Sequence, residues 1–360
     1  MTEISIQSIY GASYRKSRAV LLINLGSPDS PAVQDVASYL TTFLMDEHVI
    51  GISPFWRSLL VKRIITPRRA PQSAKTYRLI WDEETESFPL VRHTAHIARE
   101  LADQLELPVA MAMRYGKPEM TEAITALMAL ERITEVIVVP LYPHYTRSTF
   151  LTAVEYAQSV ADKLGATFRM NVIRPFYDYP IYRQVLANSI KPYLDQPYDR
   201  LVVSFHGVPI SHIEEPCREN NGTPHHCYHR RDDHGMDHRD TCYRLHCEST
   251  AQFLIEDLAI PRERVELVYQ SRLGWHPWLK PYMKGRVPLW PKEGHKRVVV
   301  VCPGFVCDCL ETLYEIDHEY HEEFKKAGGL SFVYVPCLNS SADFVGVLAQ
   351  IVQETCACNK

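Results

Sequence analysis

The chain has 360 residues, of which 46% are hydrophobic and 23% charged, and its net charge at pH 7 is -4. These values are typical of a globular protein of roughly two domains, and they exclude a disordered or fibrous chain. Because the net charge is slightly negative, the chain lacks the overall excess of basic residues that is typical of nucleic-acid-binding proteins, so nucleic acid is a poor candidate partner.

No apolar run reaches the roughly 18 residues that a membrane-spanning helix needs. The N-terminal sequence lacks the apolar core of a signal peptide, so we expect a cytoplasmic protein. Because thiols stay reduced in that compartment, the ten cysteines point to a metal, a cluster or plain packing rather than to disulfides.

Short apolar runs alternate with helical patterns in both halves of the chain. Runs in which every side chain is apolar are typical of parallel strands covered on both faces. The predicted strands are 19–26, 108–116, 135–143, 200–207, 265–271, 297–305 and 330–336. Strand, helix and strand in succession predict right-handed crossovers, so we expect two similar doubly wound α/β domains facing across a cleft.

Proline and tyrosine interrupt this pattern at 173–180, where we place the domain boundary. The first domain is then 1–175 and the second 176–338. A last helix at about 341–354, within the segment 339–360, has no strand after it. We expect it to pack back on the first domain.

The segment 41–69 breaks the alternation because it is aromatic and aliphatic with basic residues interspersed. It is too irregular for one helix. Three interpretations are open: a lid on the cleft, a surface that touches lipid, or simple burial under the first domain.

A second break, 214–247, is polar and contains four cysteines that could hold a [2Fe-2S] cluster or zinc: Cys217, Cys227, Cys242 and Cys247. Their spacings match no strict C-x-x-C signature, and Cys247 lies on a helical pattern where a core thiol is common. Cys356 and Cys358 could add ligands from the tail. Cluster, zinc and no metal therefore all remain open.

One predicted strand ends abruptly on His206, followed by Gly207 and Pro209. Open α/β sheets bind ligands at the carboxyl ends of their strands. A histidine at this edge can titrate near neutral pH or hold a metal, and the alternative is that it satisfies nearby backbone groups.

A second predicted strand leads into a helical pattern with acidic residues at steps of three and four, which places them on one helix face. These residues are Asp308, Glu311, Glu315, Glu319 and Glu322. The alternative is a solvated acidic face. Apolar Leu310 and Leu313 border the stripe, so we expect its first carboxylates to enter the cleft, where their oxygens suit a weakly held divalent cation. His206 and Glu311 would then form an imidazole and carboxylate pair.

Seven motifs together resemble the ferrochelatases, in the bacterial type that carries a Cys- and His-rich insertion. They occur in order over nearly the whole chain, at 24–31, 68–81, 112–120, 140–149, 205–209, 269–281 and 302–316. The resemblance implies a lyase that inserts Fe²⁺ into protoporphyrin IX to give protohaem and two protons. It also implies two Rossmann-like domains whose parallel sheets face across a porphyrin cleft.

The same resemblance implies roles for individual residues. His206 and Glu311 match the family's active-site pair, which would also ligate the metal, while Glu315, Glu319 and Asp308 resemble its acidic metal path. An apolar pocket would bind the porphyrin. Its expected walls are Leu25, Met113, Tyr115, Tyr142 and Trp278. Arg114, Ser148 and Thr149 would meet the propionates or polarise the rim.

At three places the sequence departs from the family pattern, and these departures limit which of the family's properties the resemblance implies for this chain. The sequence at 85–90 is "TESFPL" where the family has "EGSPL", and Arg147 stands where animal ferrochelatases have a cluster cysteine. The sequence after the first strand also lacks the tyrosine of enzymes that act on coproporphyrin, which favours protoporphyrin IX.

Two other functions remain open. One is a coproporphyrin ferrochelatase, or another chelatase that inserts cobalt or nickel into a related tetrapyrrole. The other is a haem-binding or metal-sensing protein without turnover. Both a monomer and a homodimer are compatible with the sequence.

Overall fold

A computed structural model describes residues 17–213, 241–272 and 277–358 of the protein. The described strands are all parallel to their neighbours. They are β1 (Arg18–Asn24), β2 (Val109–Met113), β3 (Glu135–Pro140), β4 (Arg169–Val172), β5 (Arg200–His206), β6 (Val265–Gln270), β7 (Arg297–Val301) and β8 (Ser331–Val335).

The described α-helices alternate with these strands, as the strand and helix pattern predicts. They are α1 (Val33–Leu44), α2 (Pro54–Leu60), α3 (Thr66–Leu79), α4 (Pro89–Leu105), α5 (Met120–Met128), α6 (Thr152–Leu164), α7 (Pro180–Leu194), α8 (Tyr243–Asp257), α9 (Met283–Arg286), α10 (His321–Lys326) and α11 (Ala342–Cys358). Three further segments are π-helical: Val61–Ile65, Arg147–Leu151 and Leu310–Tyr320.

The chain forms two compact units, and each holds one four-stranded sheet. Unit 1 consists of the described residues of 1–141, 147–174 and 340–360, with strand order β2-β1-β3-β4. Unit 2 consists of those of 142–146 and 175–339, with strand order β6-β5-β7-β8. The predicted α/β class with two parallel-sheet domains is therefore confirmed.

Strand β4 is the one described strand that the sequence pattern missed. It has four residues, and its first residue, Arg169, is exposed. It pairs only with β3 and lies at the sheet edge, so it needs no continuous apolar run. The other strands are nearly fully buried over most of their length, as their apolar sequences predict.

The last helix, α11, packs against α4 within unit 1. Ser340, just before it, bonds through its hydroxyl to His93 Nδ1 at 3.1 Å. No helix of the described residues combines the length and apolar character needed to cross a membrane.

The segment Tyr142–Thr146 belongs to unit 2, whereas the sequence prediction places it in the first domain. Two buried histidines explain the assignment. Tyr145 N–H donates to His246 Nδ1 at 3.1 Å, and His144 Nε2 lies 2.9 Å from Thr250 Oγ1. Both contacts tie the segment to α8.

The hydrogen bonds also fix the proton on His144. Thr250 donates its hydroxyl hydrogen to the His246 carbonyl oxygen at 2.9 Å, so it accepts from His144 Nε2–H. The opposite nitrogen, His144 Nδ1, is buried and has no hydrogen-bond partner among the described residues. Burial, and then the nearby His246, lower the pKa of His144 well below its usual value.

This buried neutral imidazole predicts a loss of stability in acid. Because the folded pKa lies below the unfolded one, the unfolded chain binds more protons as pH falls below about 6.5. The free energy of unfolding should therefore fall by up to about 1.4 kcal/mol per pH unit in that range from this histidine. Denaturant unfolding at several pH values should show a shallower fall for His144→Gln, whereas the exposed-site control His96→Gln should match the wild type. Equal pH slopes for His144→Gln and the wild type would contradict the assignment.

Candidate active site

The candidate site lies at the carboxyl-terminal edge of the unit 2 sheet. Strand β5 lies between β6 and β7, and the chain continues from β5 to one neighbour and later returns to the other. Such a switch in strand order opens a crevice in which α/β sheets bind ligands. His206 ends β5, and it lies directly opposite Gln270, which ends β6.

The His206 ring is oriented by its own turn. Its Nδ1 lies 2.6 Å from the carbonyl oxygen of Gly207. A carbonyl oxygen only accepts hydrogen bonds, so Nδ1 carries the hydrogen and Nε2 keeps its lone pair. Tyr243 donates its hydroxyl to the His206 carbonyl oxygen at 2.8 Å, which anchors the strand end. The half-buried imidazole can therefore accept a proton or ligate a metal through Nε2.

Glycine at position 207 allows other groups to approach this turn. A Cβ there would lie 2.8 Å from the Gln270 carbonyl oxygen and 3.1 Å from Trp278 Cε3. Gly207 N–H donates to that same Gln270 oxygen at 2.8 Å. The structure thus brings Trp278, a predicted porphyrin wall residue, next to the His206 turn.

The acidic stripe follows β7 on the π-helical segment Leu310–Tyr320 and continues into α10. A π-helix hydrogen-bonds across five residues, is rare at this length, and is often found at functional sites. Glu311 and Glu315 are half-buried, whereas Glu319 and Glu322 are exposed. The stripe therefore runs from the sheet edge out to solvent. Its helix is the wider π form, whereas the spacing in the sequence predicts an α-helix.

Glu315 is held by four hydrogen-bond donors from three residues. Ser271 donates its N–H at 2.9 Å and its hydroxyl, while Tyr320 OH and Gln270 Nε2 donate at 3.3 and 3.4 Å. Burial raises the pKa of Glu315, and the charge of Glu311 acts in the same direction. The bonds from Ser271 and Gln270 and the charge of His206 oppose this rise in the pKa.

The sequence motifs around Glu315 did not reveal these donors. Gln270 and Ser271 lie inside the matched motif 269–281, but their residue types indicate no particular chemistry. Ser271 also has a positive φ of 62°, which turns its N–H and hydroxyl toward one carboxylate. Only the folded sheet edge shows that they support Glu315.

Asp308 lies apart from Glu315 in a network of its own. Its Oδ1 accepts from Tyr334 OH at 2.5 Å and from Thr312 Oγ1 at 2.9 Å, and its Oδ2 accepts from Asn339 Nδ2 at 2.6 Å. The side chain is buried at the start of the π-helical segment. These bonds occupy the carboxylate that the resemblance assigns to the metal path.

In unit 1, Arg114 is paired with a carboxylate that the sequence analysis missed. Asp46 Oδ2 accepts from Arg114 Nη2 at 2.5 Å, Thr152 Oγ1 at 2.5 Å and Tyr115 OH at 2.7 Å. Burial would raise the pKa of Asp46, but these hydrogen bonds, with one from His48 N–H and the Arg114 charge, hold it below its usual value. Asp46 is therefore a buried anion that orients Arg114 and Tyr115.

The remaining predicted porphyrin residues differ in exposure. Met113 in unit 1 and Tyr142 in unit 2 are buried, and Leu25 is half-buried. Ser148 and Thr149 are half-buried on the π-helical segment Arg147–Leu151.

Two of the four insertion cysteines are described. Cys242 and Cys247 are buried at the start of α8, while Cys217 and Cys227 lie outside the described residues. Burial raises the pKa of the Cys247 thiol well above its usual value, against hydrogen bonding with Tyr243. Among the described residues, no three or more His, Cys, Asp or Glu side chains are grouped closely enough to hold a metal ion.

The fold is shared with solved chelatases. The structure titled SirB from Bacillus subtilis with Fe3+ matches with a TM-score of 0.52 and 12% identity, covering 94% of this chain and 96% of that one. The sirohydrochlorin chelatase SirB from Bacillus subtilis subspecies spizizenii, in complex with cobalt, gives a TM-score of 0.50 at 12% identity, covering 94% and 95%. The architecture is thus that of the α/β chelatases.

Sequence comparison narrows this class to one family. Residues 17–356 match the family model Ferrochelatase, and the chain belongs to the ferrochelatase family. The ferrochelatase of Porphyromonas gingivalis is 43% identical, covering 93% of this chain and 95% of that protein. The ferrochelatase of Pseudomonas putida is 39% identical, covering 93% and 98%.

The Asp308 network predicts that this carboxylate supports the fold. Asp308→Asn replaces an acceptor oxygen with an NH₂ group that faces hydrogen-bond donors, so the free energy of unfolding should fall by about 3 kcal/mol. Denaturant unfolding measures the change. The control Glu319→Gln, an exposed carboxylate on the same stripe, should unfold like the wild type. Wild-type stability of Asp308→Asn would contradict the structural role.

Proposed function

We propose that this protein is a protoporphyrin ferrochelatase that inserts Fe²⁺ into protoporphyrin IX, the terminal step of haem synthesis. Family membership over residues 17–356 supports the activity. The arrangement that carries the proposal is the sheet edge of unit 2, where His206 ends β5 and the π-helical segment with Glu311 and Glu315 follows the adjacent strand β7.

The reaction requires a base and exchangeable metal ligands, and no redox change. The porphyrin loses the hydrogens of two pyrrole N–H groups as protons, and Fe²⁺ forms bonds to the pyrrole nitrogens. His206 Nε2, with its lone pair, is suited to accept a proton. Glu311 provides a carboxylate from the π-helical segment that follows β7, as a second proton acceptor or metal ligand. We assign both residues to catalysis and to metal contact.

The acidic stripe suits delivery of the substrate metal. Oxygen ligands bind Fe²⁺ through geometry and ligand type and can be exchanged one after another. The stripe runs from exposed Glu319 to half-buried Glu315 and Glu311. We propose that Fe²⁺ moves along it in this order. Asp308 stays a predicted ligand whose oxygens already accept bonds from three side chains.

Porphyrin binding is proposed for the residues that the resemblance indicates. The apolar contacts would come from the predicted wall residues Leu25, Met113, Tyr115, Tyr142 and Trp278. Arg114 uses Nη2 for Asp46 and Nε for Thr152. In the described part of the chain its Nη1 donates to no group, so it keeps donors for a propionate. Ser148 and Thr149 would add hydroxyl donors.

We propose protoporphyrin IX over coproporphyrin III on the sequence after β1, which lacks the tyrosine of the coproporphyrin enzymes. Anaerobic incubation of the protein with Fe²⁺ and each porphyrin in parallel distinguishes the two substrates by haem formation. Replacing Fe²⁺ with cobalt or nickel distinguishes the other chelatases.

The site predicts a loss of turnover on removal of either catalytic group. His206→Ala and Glu311→Gln should each lower kcat for metal insertion by about 100-fold or more, because the proton acceptor or ligand is gone. Zinc insertion into porphyrin, followed by fluorescence, measures the rate. The matched controls His96→Ala and Glu263→Gln remove exposed groups and should retain wild-type rates.

Two results would contradict this site. Full turnover in both His206→Ala and Glu311→Gln, with folding intact by circular dichroism, would show that the residues are misassigned. Tight porphyrin or haem binding without turnover in the wild type would favour a haem-binding or metal-sensing protein.

We also propose that unit 1 contacts an anionic membrane surface through a patch that comprises residues 52–69. Phe55 and Trp56 on α2 are 71% and 60% exposed, and their rings form an edge-on pair at 5.2 Å. Exposed Lys62, Arg63, Arg68 and Arg69 follow on the same continuous helix. Apolar side chains beside basic ones suit the lipid headgroup region.

Buried Arg57 shapes this patch. Its Nη1 donates to the carbonyl oxygens of Ile50 and Ile52 at 3.0 and 3.3 Å. These bonds fix the turn before α2, with Ile52 and Leu59 exposed on the same segment as Phe55. The exposure makes the interpretation of 41–69 as a fully buried segment untenable for these side chains.

The patch predicts salt-sensitive binding to anionic vesicles. Phe55→Ser with Trp56→Ser should reduce cosedimentation with phosphatidylserine-containing vesicles by at least about tenfold, because two buried aromatic side chains are worth more than 1.4 kcal/mol. Zwitterionic vesicles should bind weakly. The control Leu330→Ser removes a 62% exposed leucine elsewhere and should bind as the wild type. Unchanged binding of the double variant would exclude this surface.

We also propose a metal in the insertion, a cytoplasmic location, no nucleic-acid partner, and a monomeric or homodimeric state. A [2Fe-2S] cluster or zinc on Cys217, Cys227, Cys242 and Cys247 would need deprotonated thiols, whereas burial raises the pKa of the Cys247 thiol. Cytoplasmic location, the absence of a nucleic-acid partner, and a monomeric or homodimeric state likewise rest on the sequence alone.

A further inference from the structure

Gln270 is a buried amide that the sequence gives no role. It is the last residue of β6, directly opposite His206 in the sheet register. Its carbonyl oxygen accepts the Gly207 N–H at 2.8 Å, and Gly207 in turn receives the His206 ring. The main chain of Gln270 therefore supports the turn that orients the imidazole.

Its side chain reaches the other half of the site. Nε2 lies 3.0 Å from the Glu311 carbonyl oxygen and 3.4 Å from Glu315 Oε2. On the opposite side, Oε1 lies 2.7 Å from Ser204 Oγ and 3.7 Å from Cys302 Sγ. Groups from β5, the end of β7 and the π-helical segment thus meet at one amide.

These partners fix the orientation of the amide. A main-chain carbonyl oxygen only accepts, so the NH₂ group must face Glu311. The two N–H bonds of Nε2 then supply one donor to Glu311 and one to Glu315. The hydroxyl of Ser204 and the thiol of Cys302 donate to Oε1. Every hydrogen-bonding group of this buried side chain is satisfied in that orientation alone.

We propose that Gln270 is a positioning residue for metal insertion, which holds the first turn of the π-helical segment and the Glu315 carboxylate at a fixed place beside the His206 strand end. The inference rests on the proposed ferrochelatase function and adds a residue to its machinery. A buried neutral amide can donate to a carboxylate without bringing a charge. Partners of this kind typically change metal affinity or activity by about 10- to 100-fold when they are altered.

The isosteric variant Gln270→Glu tests the proposal. It replaces the NH₂ group with an oxygen that faces the Glu311 carbonyl and the Glu315 carboxylate, so attraction becomes repulsion. We expect kcat for zinc insertion to fall about 10- to 100-fold. The KM for porphyrin should stay within about twofold of the wild type, because the amide contacts no predicted wall residue with its side chain.

The matched control is Gln252→Glu. Gln252 lies on α8, and its Nε2 donates to Glu256 Oε1 at 2.8 Å in an exposed pair. The same chemical change therefore brings two carboxylates together in solvent. We expect wild-type kcat and KM for this control.

A double variant distinguishes a positioning role of Gln270 from an unspecific disturbance of the structure. Glu315→Gln removes the carboxylate that Gln270→Glu would repel. Gln270→Glu should therefore lower kcat by a smaller factor in the Glu315→Gln background than in the wild type, since residues in contact do not act additively and only the repulsion from the Glu311 carbonyl oxygen remains. Independent, multiplied losses would overturn the proposal.

The outcomes also separate this inference from the proposed function. A wild-type protein that forms no metalloporphyrin refutes the function itself. An active wild type in which Gln270→Glu retains full kcat refutes only the positioning role. Where Gln270→Glu does not fold, Ser204→Ala replaces it, because it removes only one donor to Oε1. We expect its kcat to fall about 2- to 10-fold at unchanged KM, and an unchanged kcat would overturn the proposal.

Discussion

A carboxylate buried at a sheet edge needs fixed donors around it, and Glu315 imposes this demand on unit 2. Removing a carboxylate from water is costly unless hydrogen bonds replace the lost solvation. Gln270 and Ser271 donate from the end of β6, which the parallel pairing with β5 holds in place, and Tyr320 donates from the π-helical segment. The register of the sheet thus determines where a negative charge can lie beside His206.

The π-helical segment suits this arrangement. Its first carboxylates, Glu311 and Glu315, are half-buried, whereas its later ones reach solvent. Asp308 anchors the segment at its start through Tyr334, Thr312 and Asn339, and Gln270 holds its first turn. At the other end of the segment, Tyr320 is buried in the core and donates its hydroxyl to Glu315.

Unit 1 also contains a carboxylate that is surrounded by hydrogen-bond donors. Asp46 is buried and receives bonds from Arg114, Tyr115 and Thr152. Two of these side chains are predicted to meet the porphyrin, so a structural carboxylate orients groups that would recognise a propionate. Each network thus fixes the positions of polar side chains around one carboxylate within its own unit.

The sequence by itself determined the parallel α/β class, since strands such as β1, β5 and β7 are apolar on every face and end in recognisable turns. It also identified the stripe from Glu311 to Glu319, because side chains three and four residues apart share one face of an α-helix. The edge strand β4, the π-helical form of the stripe, and the partners Gln270, Ser271 and Asp46 were decided only by the tertiary structure. Glutamine, serine and an isolated aspartate have many ordinary roles. Their contribution arises from strand register and from contacts across tens of residues, and local sequence contains neither.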